Sequence, residues 1–143
     1  MDIISTLDIE NIVYDILNVP SLTGVITGDV YLSDDRPLNS QLEDVEINTI
    51  TMTQEPYPQE GVMNVNIYVP DMALSIGGVN QYKPNKSRLK TIIEIVKELI
   101  VNQTNKYISL NITNELMLSE RSIRQSFINL RIEFIYYEKE RKI

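Results

Sequence analysis

The sequence contains no cysteine, no histidine and no tryptophan among its 143 residues. Without cysteine the chain has no disulfide, no thiolate nucleophile and no cysteine-based metal site. Without histidine it lacks the usual general base and the commonest ligand of transition metals. Carboxylate, lysine or serine chemistry stays open, but these absences favour a protein that is not an enzyme.

Long apolar runs are also missing. No run approaches the roughly 20 residues of a membrane-spanning helix, and the N-terminal segment carries acids where a signal peptide carries basic residues. The pattern predicts a soluble, intracellular protein with no membrane partner. A hydrophobic content of 43% is enough for a core. The length predicts a single domain over residues 1–143, with the first few residues and residues 139–143 mobile.

Basic residues are scarce in the first part of the chain. Residues 1–80 contain one base, Arg36, against 13 acids, whereas residues 81–143 contain 12 bases against 7 acids. The net charge of −7 argues against sequence-specific nucleic-acid binding, which needs a basic footprint. Two interpretations stay open: differently charged solvated faces, or a protomer whose oppositely charged sides meet in a head-to-tail ring.

Two stretches, Asp8–Asn18 and Ser87–Asn102, have the apolar periodicity of amphipathic helices. The order of elements is predicted to be α-β-β-β-α-β-β, because helices and alternating runs follow one another in that sequence. This order is typical of an α+β fold in which an antiparallel sheet carries both helices on one face. The five predicted strands cover residues 25–32 (weakly), 44–53, 62–69, 107–119 with a break at Asn114, and 125–138.

The stretch Pro70–Asn85 is predicted to be an irregular connection, because Gly77, Gly78 and Pro84 interrupt it. It is longer than a compact domain usually needs, and its apolar side chains would pack either on the protein's own core or on a neighbouring subunit. The polar face of the sheet is either solvated or binds another protein. The candidate interface residues on this stretch, on the basic turn 121–124 and on the last strand are Met72, Leu74, Ile76, Tyr82, Lys83, Arg121, Arg124, Arg131 and Tyr137.

Motifs for chemistry are missing. Asp34 and Asp35 do not belong to a calcium-loop pattern, and Gly77–Gly78 fits neither of the glycine-rich phosphate motifs. Ser75 and Ser126 have no histidine to pair with and do not lie in GxSxG. We therefore predict no catalytic residue, no metal site and no cofactor.

The order of elements resembles that of the tail-terminator and tail-completion proteins of tailed bacteriophages. A helix over Ile9–Leu17 leads into GDVYLSDDRP, then a hairpin over Val45–Val69. An amphipathic helix over Arg88–Val101 precedes the strands ISLNIT and FINLRIEFIYYE. The resemblance covers nearly the whole chain but lies in element order and size, without a signature motif. No site residue can therefore be carried over from the family.

The resemblance implies a structural protein of the virion, made in the cytoplasm of a bacterial host, that forms a ring at the head–tail neck or tail end. Such rings are usually hexamers. The implied partners are further copies of the chain and neighbouring neck or tail-tube proteins, with DNA passing through the lumen. Two other functions stay open. One is an adaptor that binds another protein through the polar sheet face; the other is a small enzyme, which would need a pocket with converging polar groups.

Overall fold

A computed structural model describes residues 3–137, so the predicted mobile tail at 139–143 lies outside the described residues. The helices are α1 (Thr6–Leu17), α2 (Pro20–Thr23) and α3 (Lys86–Val101), with a short 3-10 helix at Arg121–Ile123. The strands are β1 (Val30–Tyr31), β2 (Asp44–Met52), β3 (Gln59–Pro70), β4 (Met72–Ile76), β5 (Val79–Lys83), β6 (Ile108–Glu120) and β7 (Gln125–Tyr136).

Five strands form one sheet in the order β1-β2-β3-β7-β6. The predicted α+β class is confirmed, but the prediction of a purely antiparallel sheet is wrong. β1 runs parallel to β2, with Val30 beside Val45, because the loop 32–43 returns the chain to the end of the sheet where β1 begins. All other neighbours in this sheet are antiparallel.

The predicted irregular stretch at 70–85 contains a β-hairpin. β4 and β5 pair antiparallel, with Ile76 opposite Val79 and Met72 opposite Lys83. Gly77 and Gly78 form the turn, with φ of 57° and 79°. A two-residue hairpin turn requires positive φ, which glycine adopts without strain. The two glycines therefore shape a hairpin where the sequence prediction expected an irregular chain.

The predicted strand at 25–32 shrinks to Val30–Tyr31, and an unpredicted helix, α2, precedes it. Pro20 begins α2, where its missing N–H is not needed. Leu22 of α2 is fully buried. The predicted element order is wrong because α2 and the β4–β5 hairpin are additional elements. The prediction of two helices is wrong as well, since three helices contribute to the core.

One apolar core joins the helices to the inner face of the sheet. The predicted inward-facing residues of β3 and β7 are confirmed, because Met63, Val65, Ile67 and Val69 and the even-numbered residues from 126 to 136 are buried. Tyr68 and Gln125 on the opposite face are buried as well. The large side chains that are almost completely buried include Ile9, Leu17, Leu22, Ile47, Met63, Ile67, Ile92, Ile100, Leu130, Ile132 and Phe134.

Candidate protein-interaction surface

The β4–β5 hairpin exposes an apolar face. In the part of the chain that the structure describes, these two strands pair only with each other. Their register places Met72, Leu74, Ile76 and Val79 on the same face, and all four side chains are exposed. An isolated two-stranded hairpin is only marginally stable in water, so a partner that covered this face would also stabilise the hairpin.

The base of the hairpin is fastened to the turn between β6 and β7. Arg124 Nη1 donates a hydrogen bond of 2.6 Å to Tyr82 Oη, and the guanidinium lies 4.0 Å from the centre of the Tyr82 ring. Arg124 has a left-handed backbone, with φ of 54°, and its carbonyl accepts a 2.8 Å hydrogen bond from the Asp71 N–H. The hairpin is therefore held at its base while its apolar face stays free.

A basic cleft of about 290 Å³ lies beside this base, lined by Lys83, Arg121 and Arg124 together with Asp71. Within residues 3–137, none of these three cations lies within 4.0 Å of a carboxylate oxygen. The fold thus brings together Tyr82, Lys83, Arg121 and Arg124, which the sequence had selected from two separate segments. We call the apolar face of the hairpin and this cleft together the hairpin surface.

Two of the predicted interface residues lie elsewhere. Arg131 is exposed in the middle of β7, opposite Asn64 of β3. Tyr137 follows the last strand at the other end of the sheet, where its N–H donates a 2.7 Å hydrogen bond to the Tyr107 carbonyl. Neither residue belongs to the hairpin surface.

The sequence reasoning missed the edge of the sheet. β6 is a terminal strand that pairs only with β7 among the described residues. Leu116, Met117 and Leu118 are all exposed on it. Because consecutive residues of a strand point to opposite faces, this apolar triplet makes both faces of the strand apolar. A strand with one buried face alternates apolar and polar residues. The unbroken apolar triplet was therefore a sequence signal that this strand differs from a half-buried one.

A buried polar network on the outer face of the sheet was also missed. Arg36 Nε lies 2.9 Å from Asp44 Oδ2, and these side chains are 10% and 0% exposed. Arg36 Nη2 donates to Gln125 Oε1 at 2.8 Å, and its guanidinium lies 3.8 Å from the centre of the Tyr68 ring. The loop 32–43 therefore covers Tyr68, which lies on the polar face of the sheet that was considered for an adaptor.

A second ion pair fixes the helix that follows the hairpin. Arg88 donates to both carboxylate oxygens of Glu43, at 2.6 Å and 2.7 Å. The hydrogen bonds with Glu43 raise the pKa of Arg88 above its ordinary value. Arg88 lies in the first turn of α3, directly after the hairpin. The two hydrogen bonds to Glu43 therefore fix the point at which the chain leaves the hairpin.

Comparison with known proteins gives no family. The sequence matches no protein-family model, and it matches no curated protein.

Among residues 3–137, no helix is long and apolar enough to cross a membrane, and no group of three acidic residues is placed to hold a metal ion. A cavity of about 640 Å³ between α1 and α3 is lined by Ile12, Ile16 and Leu99 with the carboxylates Asp15 and Glu98.

A carboxylate beside the Arg36 network gives a prediction for pH dependence. Burial, with a smaller contribution from the charge of Asp34, raises the pKa of Glu46, although Arg36 acts in the opposite direction. Above the folded-state pKa, Glu46 is ionised in both the folded and the unfolded protein, and only the folded protein bears the desolvation penalty.

Glu46→Gln is therefore expected to stabilise the protein at pH 7 by up to about 0.5 kcal/mol. The gain should fade as the pH drops through the raised pKa, because protonated Glu46 carries no penalty. Urea unfolding of both proteins at pH 7 and pH 4 measures this difference, and an equal gain at both values would contradict it.

Proposed function

We propose that this chain is a structural virion protein of a tailed phage, forming a ring at the head–tail neck or the tail end. The observation that carries the proposal is the β4–β5 hairpin, whose apolar side chains are exposed on one face. Burial of apolar area is the main driving force of protein association. A further copy of the same chain would supply such burial in every subunit of an assembly.

The charge distribution supports head-to-tail contact between the copies. Three cations of the hairpin surface have no carboxylate partner within the described residues, whereas the first 80 residues carry a net charge of −12. A two-fold contact places the same surface patch on both subunits, which would bring like charges together around its axis. A head-to-tail contact sets the basic patch against an acidic one, and repetition of this contact closes a ring when the rotation allows it.

The proposed role is mechanical and does not involve chemistry. In the virion, the faces of the ring would bind neighbouring neck or tail-tube proteins, and an acidic lumen would let DNA pass without adhering. The second support is the order of the main elements, in which α1, the β2–β3 hairpin, α3 and the closing strands β6 and β7 follow one another, with α2 and the β4–β5 hairpin as additional elements. This order resembles that of the tail-terminator and tail-completion proteins.

The oligomeric state tests this proposal. We expect native mass spectrometry and negative-stain images to show closed rings of one stoichiometry as the protein concentration rises. Raising the salt from about 0.1 M to about 1 M should weaken the rings, because the Debye length falls from about 10 Å to about 3 Å. The double variant Lys83→Glu/Arg121→Glu should lower the ring fraction. Arg131→Glu is the control with the same kind of charge reversal outside the hairpin surface.

Two outcomes would contradict the proposal. One is a protein that stays monomeric at every concentration, which would favour the adaptor function. The other is an open assembly of unlimited length. The genes on either side of this one give a separate test, because portal, capsid or tail-tube genes are expected there and genes of metabolism are not.

A further inference from the structure

β6 has an unprotected edge over its second half. The register with β7 shifts between Ile112 and Asn114, which marks a bulge at Thr113, and the residues from Asn114 to Glu120 are then paired regularly and all exposed. Bulges are a common means of blunting a sheet edge, but this one lies before the exposed segment. Apart from the Glu115 N–H, which donates a 2.9 Å hydrogen bond to Asn114 Oδ1, this segment therefore offers a regular row of backbone N–H and C=O groups to a further strand.

The exposed segment of β6 carries apolar side chains on both faces, at its centre, with polar residues at its two ends. Leu116 and Leu118 lie on the outer face, where Leu118 is opposite Phe127. Met117 lies on the inner face, beside a groove of about 360 Å³ between β6 and α3. Leu89 and Ile93 line its floor together with charged residues of the rim, Lys86, Lys90, Glu94, Lys97 and Glu115. A strand added at this edge would therefore meet apolar side chains above and below the sheet.

β4 has the shape of such a strand. Its three large side chains, Met72, Leu74 and Ile76, stand on one face, and only Ala73 and Ser75 stand on the other. The edge of β4 away from β5 has no strand partner among the described residues. Its five residues are short enough to pair entirely within Asn114–Glu120.

We infer that β4 of one copy adds to the β6 edge of the next copy, so that the hairpin extends its neighbour's sheet. The inference rests on the self-association in the proposed function and names the two elements that make the contact. Charge favours a second copy as the occupant, although Glu115 on β6 is already paired with Lys97 at 2.6 Å. Glu120 at the end of the exposed segment has no cation within 4.0 Å among the described residues, whereas residues 72–86 carry Lys83 and Lys86 and no acid. Pairing β6 with another β6 would instead offer Glu120 no cation, because Asn114–Glu120 contains no basic residue.

Cysteine cross-linking tests the contact, because the natural chain contains no cysteine. Single cysteines are introduced in β4 (Ala73→Cys or Ser75→Cys) and in β6 (Asn114→Cys or Ser119→Cys). Two proteins of different mass, one of each kind, are mixed and oxidised. We expect a mixed disulfide dimer for at least one of the four pairs, and no dimer when any single variant is oxidised alone.

A second measurement tests the apolar contribution. The double variant Leu74→Thr/Ile76→Thr keeps strand-forming residues but removes apolar area, and should weaken self-association about tenfold or more. Ile50→Thr is the matched control, since Ile50 is a strand residue as exposed as Ile76, both at 48%. The control should associate like the natural protein.

The outcomes separate this inference from the proposed function. Closed rings without a mixed β4–β6 disulfide, or dimers between identical cysteine variants, would overturn the inference and leave the ring intact. A mixed disulfide in an open chain would support the inference and count against the ring. A protein that never self-associates would overturn both the inference and the proposed function. The same holds if a different protein is found to occupy the β6 edge of such a monomer.

Discussion

Arg36→Met is expected to lower the free energy of unfolding by about 3–5 kcal/mol, because it leaves a buried carboxylate without its cation. Asp44 is fully buried and also accepts hydrogen bonds from Ser40 Oγ at 2.6 Å and from the Asp29 N–H at 3.1 Å. The loss of Arg36 would also free the Tyr68 ring and Gln125, which the guanidinium contacts. Urea unfolding at pH 7 measures the effect.

The matched control is Arg131→Met on the same sheet. Arg131 is exposed, and among the described residues it has no ion-pair partner. Its replacement should change stability by less than about 0.5 kcal/mol. Arg36→Met/Asp44→Asn should be more stable than Arg36→Met alone, since no unpaired charge is then buried. A loss below about 1 kcal/mol for Arg36→Met would show that the network does not hold the loop 32–43.

Gly61→Val is expected to destabilise the protein by about 3 kcal/mol, the upper range for overpacking a core. Gly61 of β3 lies opposite Phe134 of β7. A Cβ atom at this position would overlap both the carbonyl oxygen of Thr51 and the ring of Phe134. Neither neighbour can move easily, because Thr51 is held by the sheet and Phe134 is almost completely buried. Thermal unfolding gives the size of the effect.

Gly78→Ala is the contrasting variant. A Cβ atom on Gly78 would meet no other atom within 4 Å, but its φ is 79°. The expected loss is about 1–2 kcal/mol from backbone strain alone, and hydrogen exchange should show it in the hairpin and not in the sheet. If Gly61→Val were no more destabilising than Gly78→Ala, close packing at Phe134 would not be the reason for the glycine. Partial recovery in Gly61→Val/Phe134→Leu would confirm that it is.

The sequence predicts well those parts of the fold that depend on local periodicity. The stripe of α3 and the alternation of β7 each follow from one continuous segment. The hairpin was missed because Gly77 and Gly78 interrupt the pattern, and a glycine pair marks a tight turn as well as an irregular chain. The parallel pairing of β1 was missed because it depends on the path of the loop 32–43.

The candidate surface was only partly predictable for a different reason. The apolar residues of β4 stand out in the sequence, and their exposure follows from the fold. The contact between Tyr82 and Arg124 joins residues that are 42 positions apart, and the hydrogen bond between Arg36 and Gln125 joins residues 89 apart. A periodic pattern within one segment carries no information about contacts between residues so far apart in the sequence. The apolar triplet Leu116–Leu118 was a sequence signal for the exposed part of β6, but the position of this strand at the edge of the sheet depends on the whole fold.

The burial of Arg36 has a consequence for how two copies approach each other. It is the only lysine or arginine in the first 80 residues, and with 10% of its side chain exposed it contributes almost nothing to the outside of the molecule. The surface formed by this part of the chain thus has no accessible basic side chain to interrupt its negative field. Two molecules whose acidic residues from this part of the chain face each other repel at distances up to about 10 Å at 0.1 M salt. Orientation is thereby selected during diffusion, before any side chains touch.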